Sequence, residues 1–392
     1  MEEWKEYKLG NILQISSGFA YKGKDIGYGN NCLLGMGCVS FKEKFLKSGV
    51  RNYNGDCPEK YCVKPNDMVL ATRQQSDNLP ILGMPAIIPD DLKGDKIIVG
   101  ANLYKVENKS DFDSQYIYWL LKSPSYVDYI RSCQTGTTVR MITKANIESY
   151  SFLAPNKKCR DRIVSILSSL DDKIEVNRRI NEQLEELAGA LFKSWFVDFE
   201  PFKDGEFVDS ELGMIPEGWK VGTLGDIASI TSGKRPPIKQ TEMSKDVNIP
   251  LIGASSIMGY TNAILYDSKI LVIGRVGTQG VVQRFGIPCW PSDNTLIITS
   301  KFYEYCYQIL KTIDYKSLNR GSTQPLITQT DIKNQQIILP SENVLLDFEF
   351  VISALMNKTD NNLKEITHLT TLRDTLLPKL MSGEIDVNEV KI

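Results

Sequence analysis

From Ile163 onward the apolar positions of the chain advance by four and three residues in turn: Ile163, Leu167, Leu170, Ile174, Asn177, Asn181, Leu184, Ala188, Leu191, Trp195. A mean step of 3.5 residues held for more than four heptads predicts a long helix with a narrow seam that pairs with another helix. At about 1.5 Å per residue, a helix from Ile163 to Val197 is roughly 50 Å long. The same stepping returns from Phe348 through Ile352, Leu355, Thr359, Asn362, Ile366, Leu369, Arg373 and Leu376 to Leu380. This second seam is poorer. Arg373 lies on it, and Pro378, which lacks an amide for the helical ladder, is expected to kink or stop the helix. Either each helix packs on its own domain or the two seams pair; two matched seams in one chain favour pairing. Asn177, Asn181 and Asn362 then either fix the register at a cost in stability or face solvent.

Outside the seams the period falls to two. NDMVLATR (66–73), KIIVGANLYKV (96–106), SKILVIGRVG (268–277) and NTLIITS (294–300) are β-branched runs closed by Gly, Asn or Pro, and they predict strands. DSQYIYWLLKS (113–123) and EYCYQILKTI (304–313) predict short helices. These blocks repeat. WKEYKLGNILQISSG at 4–18 matches WKVGTLGDIASITSG at 219–233 at eight of fifteen positions. GTTVRMITKANI at 136–147 matches GSTQPLITQTDI at 321–332 at five of twelve. Each half therefore has a shared opening, an unshared middle of different length and a shared close, followed by a helix. The first helix leads into the second block, which feeds the second helix, so an antiparallel pair is the simplest connection. The expected fold is α/β heads plus long α-helices: two similar domains joined by an antiparallel two-helix coiled coil, a pseudo-two-fold symmetric tandem duplication. The boundaries read as 1–155 for the first head, 156–200 for the central helix, 201–215 for a linker, 216–340 for the second head, and 341–392 for the distal helix and tail.

At 392 residues and 44.2 kDa the chain exceeds what one core fills, in keeping with several domains. His368, the one histidine, removes most histidine-based chemistry. Eight cysteines at irregular spacings, with no C-x-x-C, read as reduced thiols rather than a disulfide or zinc framework. No apolar run is long enough for a membrane span, and the start MEEWKEYK reads as no signal peptide, so a soluble cytoplasmic protein is expected. The net charge of −2 discourages a nucleic-acid partner until it is divided by segment. Residues 1–155 carry +2 and 216–340 carry +4, whereas 156–215 and 341–392 carry −4 each. Weakly basic heads alternate with acidic helices.

Catalytic patterns fail. GFAYKGKD (18–25) resembles a phosphate loop, but Asp25 stands where Ser or Thr would hold magnesium. Asp90, Glu107 and Lys109 match the loose acidic–lysine spacing of metal-dependent nucleases and equally suit surface turns. No dinucleotide fingerprint or N-P-P-aromatic segment is present, and Cys57 and Cys62 have no histidine nearby to form a thiolate. No metal site is expected. The design is that of a reader or an adaptor.

The two openings, with P-E-G-W-K at 216–220, the segment GSTQPLITQTDI, and the helix ends LEELAGALFKSWFVDFEP (184–201) and LTTLRDTLLPKLMSGEI (369–385) together resemble the specificity subunit of type I restriction–modification systems. MVLATRQQSDNLPILGMP (68–85) departs from ILVIGRVGTQG (270–280), as variable target-recognition domains would. The resemblance implies a non-catalytic subunit that reads a bipartite, asymmetric DNA site, one half per head. Its helices would set the gap and dock methyltransferase subunits, usually two, which use S-adenosylmethionine. A separate translocating and restricting subunit would use ATP and Mg. No cofactor is expected in this chain. Two heads on a strut suit half-sites about one turn, 34–36 Å, apart.

In the second head Arg275 and Gln279 follow the strand ILVIG, and Arg suits guanine as Gln suits adenine. Lys234, Arg235, Arg320, Ser322, Thr323 and Gln324 surround the repeated glycine turns and suit phosphate or base contacts. The first-head counterparts are Lys22, Lys24, Arg73, Gln74, Gln75, Thr137, Thr138 and Arg140. Each is equally readable as a solvated surface residue. Trp4 and Trp219 read as core. On the helices, Leu184, Leu187, Leu191, Trp195, Phe199, Leu369, Leu372 and Leu376 are candidate partner contacts, with Trp195 and Phe199 alternatively seam core. A coiled-coil adaptor whose heads bind proteins, and a metal-dependent nuclease, remain the other readings.

Overall fold

The computed structural model describes residues 4–75, 80–276, 280–318, 326–387 and 390. They form two compact units, Met1–Val176 with Glu365–Ile392, and Asn177–Lys364. Unit 1 begins with β1 (Lys5–Lys8), the single turn α1 (Leu9–Ile12) and β2 (Leu13–Ser17). Next come β3 (Ile26–Leu34), β4 (Arg51–Tyr53), β5 (Cys62–Val63), β6 (Met68–Ala71), β7 (Arg73–Gln74), β8 (Pro85–Ile87), β9 (Ile97–Val99) and β10 (Leu103–Asn108). Helices α2 (Ser114–Leu120) and α3 (Pro124–Cys133), strand β11 (Arg140–Met141), helix α4 (Lys144–Glu148) and β12 (Ser151–Ala154) lead into α5 (Lys157–Phe196).

The central sheet of unit 1 has the order β2-β10-β6-β8 and is antiparallel throughout. A second sheet, β4-β3-β9-β5, pairs β3 with β9 in parallel. Strand β6 shows why the run MVLA is apolar at every position. Met68 and Leu70 join the helix-covered core with Tyr116, Trp119 and Ile163, while Val69 and Ala71 face Leu34, Ala86 and Val99 on the other side. Alternate side chains leave a strand on opposite faces, and here both faces are covered. The stretch 96–106 is two strands, β9 and β10, which belong to different sheets and break at Gly100–Asn102.

Unit 2 repeats the plan with β13 (Phe207–Val208), β14 (Ile215–Pro216), β15 (Lys220–Thr223), β16 (Ser229–Ser232), β17 (Ile249–Ile252), β18 (Ile257–Thr261), β19 (Ile270–Gly274), β20 (Val282–Phe285), β21 (Trp290–Pro291) and β22 (Thr295–Thr299). Helices α6 (Tyr303–Thr312) and α7 (Gln329–Lys333), strand β23 (Gln336–Leu339) and the long α8 (Glu342–Ser382) follow. Its central sheet is β16-β22-β19-β20, and β19 divides its side chains between two clusters as β6 does. The second sheet is shorter, β18-β17-β21, again with a parallel pair.

The repeated residues have structural reasons. Thr143 and Thr328 cap α4 and α7, each hydroxyl accepting from the amide three residues on, at 3.2 Å. Asp331 completes a capping box by accepting from the Thr328 amide. Ile142, Ile147, Ile327 and Ile332 on either side of the caps are buried. Gly18 and Gly233 mark the same close approach: a Cβ would lie 2.1 Å from the carbonyl oxygen of Gly100 or Ser292. Trp219 is core, and Trp4 is half-buried against Gly383.

The long helices pair antiparallel within each unit. In unit 1 Asp171 of α5 meets Arg373 of α8 at 2.5 Å, and Lys173 reaches Glu365 at 3.8 Å. In unit 2 Asn362 donates to Asn181 at 2.8 Å, while Trp195, further along α5, packs its ring on Phe348 near the start of α8. Asn177, Asn181 and Asn362 are all buried, so the seam is polar at its register points. Arg373 is no defect: Asp171 and Asp374 accept from it, and its guanidinium lies over Trp119. Pro378 does not stop the helix. It sits one turn before the end, where a single amide is forfeited while Leu377, Leu380 and Met381 are buried. The first long helix ends at Phe196, so Phe199 is outside it, in a left-handed conformation with φ 54°.

Two partly buried charged residues, Arg284 and Glu349, hold α6 in unit 2. Arg284 of β20 pairs with Glu304, which is 1% exposed, and lies over the rings of Tyr303 and Tyr307, with Asp360 of α8 3.8 Å away. Glu349 of α8 accepts from the Glu304 and Tyr305 amides in the first turn of α6. Burial pushes its carboxyl up to about 7, against those two amide bonds and with the Glu304 carboxylate adding to the rise. Arg284→Met should cost about 3–5 kcal/mol in denaturant unfolding, because it strands Glu304 without a partner. Adding Glu304→Leu should recover most of that. A carboxyl raised in the folded state stabilises fully below its unfolded range and loses that contribution as pH rises through about 7. The melting temperature should therefore fall between about pH 5 and 7.5, and Glu349→Gln should flatten that decline.

Candidate nucleic-acid interface

The strands β6 and β19 are buried on both faces, so the chain that carries them can present side chains to solvent only at their ends. In unit 1, Ser17 at the end of β2 lies opposite Tyr104, and Leu103 at the start of β10 lies opposite Ala71 at the end of β6. The segments that follow β2 and β6 therefore emerge at the same end as the turn before β10. Backbone hydrogen bonds tie them together. The Gly18 amide donates to Leu103, that of Thr72 to Asn102 at 3.1 Å, and that of Ile142 to Thr72 at 3.1 Å. Beyond this, β7 pairs with β11, placing Gln74 opposite Arg140 and Arg73 opposite Met141. Lys22 and Lys24 (after β2), Arg73, Gln74 and Gln75 (after β6), and Thr137, Thr138 and Arg140 (before α4) thus belong to segments anchored at one sheet end.

Among these, Lys22, Lys24, Arg73, Gln75, Thr137 and Thr138 are exposed and Arg140 is half-buried. Gln74 is a correction: it is 7% exposed and its side-chain oxygen accepts from the Leu82 amide, so it secures the turn and does not face solvent. A cleft of about 220 Å³ opens beside the ribbon, lined by Gln74, Leu82, Met84, Ile130, Arg131 and Arg140.

Unit 2 builds the same end. The amides of Gly233, Arg275 and Ile327 donate to Thr295, Asn294 and Arg275 at 3.0, 2.9 and 3.0 Å, and Val276 bridges to Leu326. Position by position, Gly233 corresponds to Gly18, Thr295 to Leu103, Asn294 to Asn102 and Ile327 to Ile142. Arg275 therefore corresponds to Thr72, and Val276, one position on, to Arg73. Lys234 and Arg235 are exposed after β16, and the Lys234 carbonyl accepts from the Trp290 indole at 2.7 Å. Gln279, Arg320, Ser322, Thr323 and Gln324 lie outside the described residues.

Asn102 and Asn294 were missed. They sit at the centre of each sheet end, one position before β10 and β22. The signal was present in the repeat, as Ala101-Asn102-Leu103 against Asp293-Asn294-Thr295.

On the helices Leu187 and Leu372, at matching positions of the repeat, are exposed by 47% and 38%. Leu184 and Leu369 are half-buried, as is Leu376 against the unit 1 core. Leu191, Trp195 and Phe199 pack on the unit 2 core, where Trp195 meets the rings of Phe202 and Phe348, and Phe199 those of Phe207 and Trp219. Asp90 accepts from Asn66, and Glu107 pairs with Lys109 at 2.5 Å, which holds its carboxyl below the usual range. Among the described residues no three His, Cys, Asp or Glu side chains are grouped to hold a metal, and no helix is long and apolar enough to cross a membrane.

The profile of the type I restriction modification DNA specificity domain matches residues 1–186 and again 216–371. The chain is 31% identical to the type I restriction enzyme MjaIX specificity subunit of Methanocaldococcus jannaschii, over 99% of this chain and 95% of that one. It is 27% identical to the HindI specificity subunit of Haemophilus influenzae, over 98% and 100%. Its fold is similar to the crystal structure of a type I restriction–modification S subunit from M. genitalium, with a TM-score of 0.60, 16% identity, and 97% and 96% of the two chains covered.

Because the Gln74 side chain is buried against the Leu82 amide, Gln74→Ala should lower stability by about 1–3 kcal/mol in chemical denaturation and leave any DNA sequence preference intact. Exposed Arg73→Ala should change stability by less than about 0.5 kcal/mol and lower DNA affinity in a binding titration.

Proposed function

Because the chain belongs to the family of type I restriction–modification DNA specificity subunits, we propose that each of its units reads one half of a split, asymmetric site through the loop end of its central sheet. Sequence-specific DNA recognition is the role of this non-catalytic subunit. The observation that carries the finer reading is the duplicated sheet end: one backbone hydrogen-bond pattern in both units, dressed with different side chains. A reader of two unlike half-sites needs that combination, since backbone geometry sets the approach and side chains at base edges set the choice.

The methyltransferase subunits, two per chain, dock on the long helices, with Leu187 and Leu372 as the exposed apolar contacts. They supply S-adenosylmethionine chemistry at adenine, and a restricting translocase joins with ATP and Mg. The chain works on cytoplasmic double-stranded DNA.

Heads carrying only +2 and +4 are too weakly charged for tight solitary binding, because phosphate neutralisation dominates affinity. The isolated chain should bind duplex DNA weakly and lose that binding steeply with added salt. A nanomolar dissociation constant at physiological salt would contradict this. Adenine-methylation mapping in cells expressing the chain with its methyltransferase should reveal one split motif that is absent without the chain. Unchanged methylation by a demonstrably active partner would remove the specificity reading.

A further inference from the structure

The two sheet ends can be compared at equivalent backbone positions, and one position differs in kind. Thr72 and Arg275 each donate an amide to an asparagine carbonyl and accept from the isoleucine that precedes the capping threonine. In unit 1 the side chain is spent: the Thr72 hydroxyl also donates to Asn102, at 3.0 Å, and the residue is 7% exposed. The first unit thus presents no side chain there.

In unit 2 the same slot holds an arginine, half-buried, whose Nε is buried and has no hydrogen-bond partner. A guanidinium has five N–H donors and no acceptor capacity, and leaving a buried charged donor unpaired is costly. The Nε itself is sealed from solvent, so a surface ligand meets the outer Nη donors of this half-buried side chain, whose planar fork suits a pair of acceptors side by side. It stands at the sheet end that presents Lys234 and Arg235, beside the exposed Asn294.

We infer that Arg275 is a specificity-determining residue of the second unit, reading a guanine through its O6 and N7 edge in that unit's half-site. The inference rests on the proposed reading of one half-site per unit. The equivalent place in the first half-site is not read by a guanidinium. A backbone phosphate offers the same paired acceptors but carries no sequence information, so the two are separated by what a substitution does to the motif. Arg275→Lys keeps the charge and most of the bulk and loses the fork.

The test is adenine-methylation mapping with the assembled methyltransferase carrying wild-type chain, Arg275→Ala or Arg275→Lys. The wild-type motif should require guanine at one position of one half-site. Both variants should accept other bases there, with discrimination lowered roughly 10- to 100-fold, while the other half-site stays unchanged. A lysine variant that retains the full motif overturns the inference. So does an alanine variant that methylates less at every site with the motif intact, the signature of a phosphate contact. Where the alanine variant does not fold, the lysine variant decides. No split motif with the wild-type chain would sink the half-site reading itself. A split motif that neither variant alters would sink only the assignment of Arg275.

Discussion

A strand buried on both faces can do work only at its ends. Met68–Ala71 and Ile270–Gly274 are such strands, each with helices on one side and a second sheet on the other. That double burial makes them apolar at every position, and it leaves the turns at the strand ends as the places where polar side chains can gather without disturbing the core. The glycine at the end of the neighbouring strand serves the same constraint. Gly18 and Gly233 let the chain pass within van der Waals contact of the Gly100 and Ser292 carbonyls in the turns before β10 and β22, which a Cβ would block. A rigid sheet thus delivers a loop cluster whose backbone is over-determined and whose side chains are free to vary.

The paired helices answer a different need. A seam of leucines alone permits several registers, and this one is interrupted by Asn181–Asn362 in one unit and Asp171–Arg373 in the other. Buried polar pairs of this kind contribute little net stability, because desolvation offsets most of the attraction. Their value is that a shifted register leaves them unpaired, at a cost of a few kcal/mol each. The same logic applies to Arg284 and Glu304, which tie α6 to the central sheet through a pairing that an apolar patch would not specify.

Much of this was legible in the residues. The seams were readable because a 3.5-residue period held from Ile163 to Trp195 returns from Phe348 to Leu380, and the duplication because glycine, capping threonine and flanking isoleucines are each dictated locally. What escaped was what depends on tertiary context. Pro378 carries the same missing amide wherever it sits, but only the fold shows that the surrounding turn is held by Leu377, Leu380 and Met381. Gln74 reads as a surface amide until the Leu82 backbone is seen to need it. Asn102 was hidden inside KIIVGANLYKV, an apparently continuous strand that is broken between two sheets. The pairing of Arg275 with Thr72 needed the hydrogen bonds, because the loops beyond β6 and β19 share no residues to align. Five candidates, Gln279, Arg320, Ser322, Thr323 and Gln324, lie outside the described residues.

On the proposed reading, in which the isolated chain binds DNA weakly, the charge pattern favours specificity over affinity. A reader with densely basic heads would bind any duplex, and each added phosphate contact would raise specific and non-specific binding alike. Discrimination grows instead with groups that find partners on one sequence and none on another, because the penalty of an unpaired buried donor applies only to the wrong site. Near-neutral heads bearing a few directed side chains favour ratio over strength. On the proposed reading the missing strength comes from partner subunits that need no sequence information, and the sheet ends vary without altering how the assembly holds DNA.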